Sequence, residues 1–285
     1  MRYEAPETLD AAVALLTAEA GEARILAGGT DLLVQMKTDV IDPKLVVDLK
    51  RISEMRKITK NADGFVIGAA VTGAELKEHA ELKKHWPGVV EAANLIGSTQ
   101  VQGRCTLGGN LCNASPAADS VPALIAAGAK VSIHGAKGRR EMAVEDVMLA
   151  PRKTALAKGE VVVSFHLPLR NKGMGDAYLR FIPRTEMDIA VVGTGVALTL
   201  DASGKCTAAR VGLGAVAARP LFVKEAGAAL VGTNVDDAAL EKMVAAVRAA
   251  CKPIDDKRGT IEFRIKVAGV IARRTALIAL ERTKA

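Results

Sequence analysis

The sequence is short of aromatic rings, cysteines and long apolar runs, and each shortage closes off a class of function. Its 285 residues include one Trp, two Tyr and five Phe. A protein that grips nucleic acid on stacking platforms carries more rings than that. The four cysteines, Cys105, Cys112, Cys206 and Cys251, are too few and too scattered for a disulfide-stapled secreted scaffold. No apolar run approaches the ~20 residues that cross a bilayer, and the longest, Val121 to Ala129, is interrupted by Pro122 and Gly128. The opening Met1-Arg2-Tyr3-Glu4-Ala5-Pro6 lacks a signal-peptide core, and Glu7 and Asp10 follow it. We therefore expect a cytoplasmic chain with no membrane insertion and no nucleic-acid partner.

Catalytic and metal-binding patterns are missing as well. His79, His85, His134 and His166 show no metal-ligand spacing and no neighbouring nucleophile, and the cysteines form no close pairs. There is no triad and no pair of carboxylates. No catalytic residue and no metal centre is expected in this chain. Cys105 and Cys112 read as small packing residues, and Arg184 with Asp188 as a structural ion pair.

What the sequence does have is bulk. Hydrophobic residues make up 49%, many of them Ala, and with 26 Gly this composition builds a sizeable core and excludes a disordered chain. Lys and Arg number 39 against 32 Asp and Glu, a net charge of +7. That surplus suits an anionic ligand or an acidic partner and identifies neither.

Periodicity predicts two domains in an α+β chain. Thr8 to Ala20 is a capped helix, Arg24 to Ala27 and Leu45 to Leu49 are strands, and Leu32 to Lys37 is a helix between them, a βαβ-like unit. Asn61-Ala62-Asp63-Gly64 predicts a hairpin turn, and Thr72 to His79 and Gly88 to Ile96 are helical. Gln100 to Pro116 has no clear period and reads as a long irregular segment. A short helix at Pro122 to Ala127 follows, with strands at Lys130 to His134 and Val161 to Leu167. Asn171 to Gly175 reads as an interdomain junction. Beyond it, three antiparallel strands (178–182, 190–200, 208–215) and helices at Asp236 to Ala250 and Ile261 to Glu281 predict a small α+β domain with a three-stranded sheet.

Two glycine-rich segments rise above this background. Leu26-Ala27-Gly28-Gly29-Thr30-Asp31-Leu32-Leu33 follows a strand directly, and Thr106-Leu107-Gly108-Gly109-Asn110-Leu111 repeats the hydroxyl, the paired glycines and a polar side chain. Paired glycines let backbone N–H groups approach an anion, and a following helix N-terminus favours negative charge. A Gly-Gly after a strand is more commonly a plain tight turn, so one such loop alone means little. Two together can clasp a diphosphate from both sides. Neither has Rossmann or P-loop spacing, so the inference is a nucleotide diphosphate held by a different fold.

These loops and their surroundings resemble the flavoprotein (medium) subunit of molybdenum-containing hydroxylases, the carbon monoxide dehydrogenase and xanthine dehydrogenase family. The likeness runs through Tyr3-x-x-Pro6, Leu9-x-x-Ala12-x-x-Leu15-Leu16, Ala27 to Leu33, Ile67-Gly68-Ala69, Ile96-Gly97-x-x-Gln100-Val101, Thr106 to Leu111 and Ala114-Ser115-Pro116-Ala117-Ala118-Asp119. It continues in Gly159-Glu160, Leu167-Pro168 and Arg184-x-x-x-Asp188-Ile189-Ala190. It implies an FAD-binding domain of the vanillyl-alcohol-oxidase (PCMH) type over 1–173, in sub-parts of about 1–57 and 58–173, then the family's C-terminal domain over 174–285.

The resemblance also implies a role and a site. The chain would be an electron-transfer subunit of an oxidoreductase. It would take electrons from a small subunit with two-iron two-sulfur clusters, fed by a large molybdenum-cofactor subunit, and pass them through FAD to an external acceptor. The assembly would be a dimer of heterotrimers. Carried over by position, the cofactor residues are Arg24, Ile25, Leu26, Ala27, Gly28, Gly29, Thr30, Asp31 and Leu32, then Thr106, Gly109, Asn110, Cys112, Asn113 and Asp119, with Ile96, Val162 and Arg180. The sequence departs from the family at Gln100-Val101-Gln102-Gly103-Arg104, where relatives commonly read Gln-Ile-Arg-Asn, and at Ile96, where some carry an aromatic ring. It also lacks the four-iron-cluster insert of benzoyl-CoA-type relatives. Two other readings stay open on the residues alone: a stand-alone flavin oxidoreductase, and a basic phosphate- or nucleic-acid-binding protein.

Overall fold

The computed structural model describes residues 1–284. Chain order builds three sheets in succession. The first is small and wholly parallel: β1 (Arg2–Glu4), β2 (Ala23–Leu26) and β3 (Leu45–Asp48) in the order β1-β3-β2. β3, Leu-Val-Val-Asp, is buried throughout, as the central strand of a parallel sheet must be. Helix α1 (Leu9–Ala18), capped by the Thr8 hydroxyl, turns Leu9, Ala12, Val13 and Leu16 inward. The six-residue α2 (Leu32–Lys37) joins β2 to β3.

The second sheet is antiparallel, in the order β4-β5-β10-β6-β7. Its strands are β4 (Ile58–Asn61), β5 (Gly64–Gly68), β6 (Lys130–Gly135), β7 (Gly138–Ala143) and β10 (Val161–Pro168). A bulge at Val162–Ser164 re-aims the start of β10. Between β5 and β6 the chain coils into short helices: α3 (Gly73–Glu78), α4 (Ala80–His85), α5 (Pro87–Ala93), α6 (Thr99–Gln102), α7 (Leu107–Cys112) and α8 (Ser120–Ala126). The region expected to be irregular therefore contains two helices, α6 and α7. They are one to two turns long, too short to show a period. Between β7 and β10 lie α9 (Val144–Val147) and the ribbon β8 (Met148–Ala150) with β9 (Lys153–Thr154). Trp86, Phe65 and Phe165 are fully buried in the core that these elements share with the first sheet.

The third sheet has the three long antiparallel strands expected, β11 (Met174–Phe181), β12 (Val192–Leu200) and β13 (Cys206–Gly214). A two-residue fourth strand, β14 (Leu221–Phe222), extends it. Helices α10 (Lys224–Ala228), α11 (Asp237–Ala250) and α12 (Ile261–Glu281) cover one face, with Ala268, Ala272, Ala276 and Ala279 packed inward. The other face receives α8. Gly195 and Gly212 floor a trough there, and a Cβ on either would come within 2.4 or 2.2 Å of the Pro122 carbonyl oxygen. No described helix is long and apolar enough to cross a membrane.

Candidate functional site

The first glycine segment leaves β2 and turns directly into α2. Gly29 sits at φ +80°, a conformation glycine adopts without strain. Gly28 is wedged against the backbone before the second segment: a Cβ there would stand 2.1 Å from the Arg104 carbonyl oxygen. α2 has no side-chain cap, and the amides of residues 28 to 32 find no acceptor among the described residues. Consecutive N–H groups without partners at a helix start form an anion-binding concavity. Behind the loop, the Lys50 ammonium donates to the Ala27 carbonyl at 3.1 Å and to both Asp48 oxygens at 2.8 Å.

The second segment is built differently. Thr106 caps α7, its hydroxyl accepting from the Gly109 amide at 2.9 Å. Gly108 N–H donates to the Ala69 carbonyl at 3.1 Å and Asn110 N–H to the Thr106 carbonyl at 3.0 Å. The Asn110 side chain reaches on to α8, where Oδ1 accepts from the Ser120 amide and hydroxyl at 3.1 and 2.6 Å. One side-chain bond ties the helix after the first segment to the end of α7: Gln35 Nε2 donates to Asn113 Oδ1 at 3.0 Å.

Between them opens a cleft of about 600 Å³, within the range of small-molecule sites. Its wall contains Arg24, Ile25, Ala27, Gly28, Gly29, Thr30, Asp31 and Leu32 of the first segment. It also contains Thr106, Gly109, Asn110, Cys112 and Asn113 of the second, with Ile96 and Val162. Three of the residues carried over from the family do not line it. Leu26 lies under the first loop, with Cδ1 facing Gly29. Asp119 and Arg180 face each other instead: Arg180 Nη1 donates to Asp119 Oδ2 at 2.8 Å, and Tyr178 donates to Oδ1 at 3.1 Å. This buried triad ties the start of α8 to β11 and so anchors the second segment on the third sheet.

Sequence reasoning missed much of the opposite wall, which includes Arg152, Thr154, Leu156, Lys158 and Gly159. Only Val162 was anticipated there. The one local signal was Gly159, whose φ of +83° marks a turn into β10. Gln35, on the inner side of α2, was also missed.

Cations ring the cleft, and most are already engaged. Arg24 pairs with Glu22. Lys158 donates to the Glu19 carbonyl at 2.8 Å. Glu160 is held by Arg140 at 2.7 Å, which lowers its carboxyl from the ordinary range. Arg152 makes no ion pair among the described residues, and its backbone takes the strained φ of +61° while its amide donates to the Ala114 carbonyl at 3.0 Å. Partial burial raises the Asp31 carboxyl. Cys112 is exposed to the cleft yet surrounded by protein, and that desolvation pushes its thiol up to about 12. Burial likewise pushes Cys105 up to about 11. Both stay protonated, so neither is a thiolate nucleophile at neutral pH. Among the described residues no group of three or more His, Cys, Asp or Glu side chains is placed to hold a metal.

Comparison with known proteins gives these observations a context. Residues 1–170 match the family described as the FAD binding domain in molybdopterin dehydrogenase, and residues 177–279 match the CO dehydrogenase flavoprotein C-terminal domain. The carbon monoxide dehydrogenase medium chain of Afipia carboxidovorans is 38% identical, over 99% of this chain and 96% of that one. The xanthine dehydrogenase FAD-binding subunit of Escherichia coli is 30% identical, over 95% of this chain and 93% of its own length. Among solved structures, CO dehydrogenase from Oligotropha carboxidovorans superposes with a TM-score of 0.94 at 37% identity, covering 99% of this chain and 98% of that one. Quinoline 2-oxidoreductase from Pseudomonas putida superposes at 0.91 and 28% identity, covering 100% of this chain and 98% of that one.

Proposed function

The chain belongs to the family of FAD-binding medium subunits of the carbon monoxide dehydrogenase and xanthine dehydrogenase class, and from that premise we propose that it carries electrons between two partners through FAD held in the cleft. The observation that carries the reading is the run of unpartnered amides at 28 to 32 opening onto that cleft. It is a site made for a dianionic diphosphate, and it fits the cofactor the family binds.

On this reading the first loop takes the diphosphate on its backbone amides, with the Thr30 hydroxyl as a further donor and Arg152 closing the rim as a counter-charge. Thr106, Gly109, Asn110, Cys112 and Asn113 form the facing wall, and the Gln35–Asn113 bond holds the two walls at a fixed spacing. Ile96 and Val162 offer apolar surface to the ring system. Leu26 supports the first loop from beneath. Asp119 and Arg180 act from outside the wall, fixing α8 and with it Asn110. Bound FAD accepts electrons singly or in pairs, which lets it connect one-electron clusters with two-electron acceptors. The protein's own part is positioning and exclusion of water, and no side chain needs to move a proton.

The donor in this proposal is an iron–sulfur small subunit, itself served by a molybdenum-cofactor large subunit, in a cytoplasmic dimer of heterotrimers. The chain divides into an FAD-binding unit of 1–173 and a C-terminal unit of 174–285. The test is purification with co-expressed partners. We expect flavin absorbance, FAD released on denaturation, and iron and molybdenum on the accompanying chains. A chain that purifies alone and without flavin overturns the proposal, and substrate-driven flavin reduction by the isolated chain would favour a stand-alone oxidoreductase.

A further inference from the structure

We infer that Lys50, held by Asp48 and Tyr3, is the positioning residue that aims the first loop's amides at the diphosphate; this rests on the FAD reading above. Lys50 lies behind the loop, outside the cleft wall. Its ammonium makes three contacts, one to the Ala27 carbonyl at 3.1 Å and two to Asp48 at 2.8 Å. Asp48, buried at the end of β3, also accepts from the Tyr3 hydroxyl at 2.7 Å and from the Lys50 amide at 2.9 Å. The lysine head is therefore fixed by a carboxylate that is itself fixed, and it has little freedom left.

The consequence follows from peptide geometry. In a trans peptide the C=O and the following N–H point in opposite directions. Lys50 draws the Ala27 carbonyl to the rear of the loop, so the Gly28 N–H is turned away from Lys50, and it has no acceptor among the described residues. On its other side, Gly28 is braced by the Arg104 carbonyl, which leaves no room for even a Cβ. A peptide pinned at both ends cannot flip. The amides that follow inherit their direction from it, and the lysine balances the Asp48 carboxylate that would otherwise stand as bare negative charge behind them.

This predicts a separation between two flavins of unequal charge. FAD carries the diphosphate, whereas riboflavin carries the ring system and no phosphate. The experiment uses the full chain with its co-purifying subunits, stripped of flavin and titrated with each ligand. Lys50→Met should weaken FAD about tenfold or more, the range for loss of a charge-assisted hydrogen bond, and leave riboflavin affinity unchanged. Lys50→Arg should recover most of the loss.

A merely structural lysine would give another pattern, with both ligands weakened alike and no rescue by arginine, and that result overturns the inference. So does unaltered FAD affinity in Lys50→Met. Should that variant fail to fold, Tyr3→Phe decides: it releases one restraint on Asp48 and should weaken FAD two- to threefold with riboflavin unmoved, and equal effects on both ligands count against the inference. A wild-type chain that binds neither ligand removes the FAD reading itself, an outcome distinct from all of these.

Discussion

The two glycine segments use nearly the same letters and make opposite use of them. In Ala27-Gly28-Gly29-Thr30-Asp31 the backbone amides are left free and the loop is restrained from behind. In Thr106-Leu107-Gly108-Gly109-Asn110 the amides of 108, 109 and 110 are all satisfied inside the protein, and the side chains carry the segment's contacts to α8. On the proposed reading the first offers the ligand its main chain, whereas the second spends its amides on the protein and faces the cleft with its side chains. A glycine pair is thus a statement about space, and only the hydrogen-bond partners around it say whether that space is for a ligand or for another strand of protein.

Substitutions that act on stability in one segment and on affinity in the other can break this contrast. The largest effect belongs to the anchor of the second segment. Asp119→Ala leaves the buried Arg180 guanidinium unpaired, which should cost about 3–5 kcal/mol, visible as a large fall in Tm. Asp31→Ala, at the rim of the first loop, should leave Tm in place. The Asp119 carboxyl also gives a pH signature. Burial raises it to about 6 from its ordinary 3.8, against the opposing pull of Arg180. A raised folded-state value means the folded form holds the proton longer, so its contribution to stability is complete below about 4 and is lost as pH rises through about 6. The Tm of the wild type relative to Asp119→Asn should therefore fall between pH 4 and pH 7. A flat difference would show that Asp119 does not titrate there.

Next in size are the glycines themselves. Gly28→Ala places a methyl against the Arg104 carbonyl and should cost about 3 kcal/mol. A Cβ at Gly109 meets only the Thr106 hydroxyl, at 3.1 Å, so Gly109→Ala should change stability by less than about 1 kcal/mol, helped by the better helix propensity of alanine. Chemical denaturation measures both.

The smallest pair is the most discriminating. Thr106→Val removes a cap and should lower stability by about 1 kcal/mol. Thr30→Val removes a hydroxyl with no partner among the described residues and should leave stability within about 0.5 kcal/mol while weakening FAD three- to tenfold, roughly one neutral hydrogen bond. Exchange of these two phenotypes would reverse the roles given to the two segments.

Local pattern carried much of the architecture. The helix from Ile261 to Glu281 is legible because apolar residues recur at helical spacing over 21 residues. Leu32–Lys37 and the hairpin around Asn61-Ala62-Asp63-Gly64 were legible for similar local reasons. β1 was not, because its three largely exposed residues become a strand only by pairing with β3, some forty positions away. Helix α7 was hidden by the glycines inside it, which argue against helix until the Thr106 cap and the Ala69 carbonyl are in place.

The site divides in the same way. Both glycine loops stand out by composition, and most of their residues reach the cleft wall. Arg152 and Lys158 gave no local sign, since the β8–β9 ribbon and the turn into β10 bring them there. Asp119 and Arg180 were carried over as cofactor positions, but each spends its charge on the other across sixty residues of chain. No sequence pattern announces a pairing of that kind.

The trough floored by Gly195 and Gly212 has a consequence for how the chain is made. Synthesis proceeds from the N-terminus, and folding units tend to form as they emerge. When the last residue of β10 leaves the ribosome, both glycine loops exist, but the strands that receive α8 do not. Until β12 and β13 are synthesised and paired, Pro122 has no seat, and α8, and through it the wall carrying Asn110, lacks its final support. The binding site is encoded early and finished late, so premature termination between Pro168 and Gly214 yields a chain that holds both loops and lacks the completed cleft.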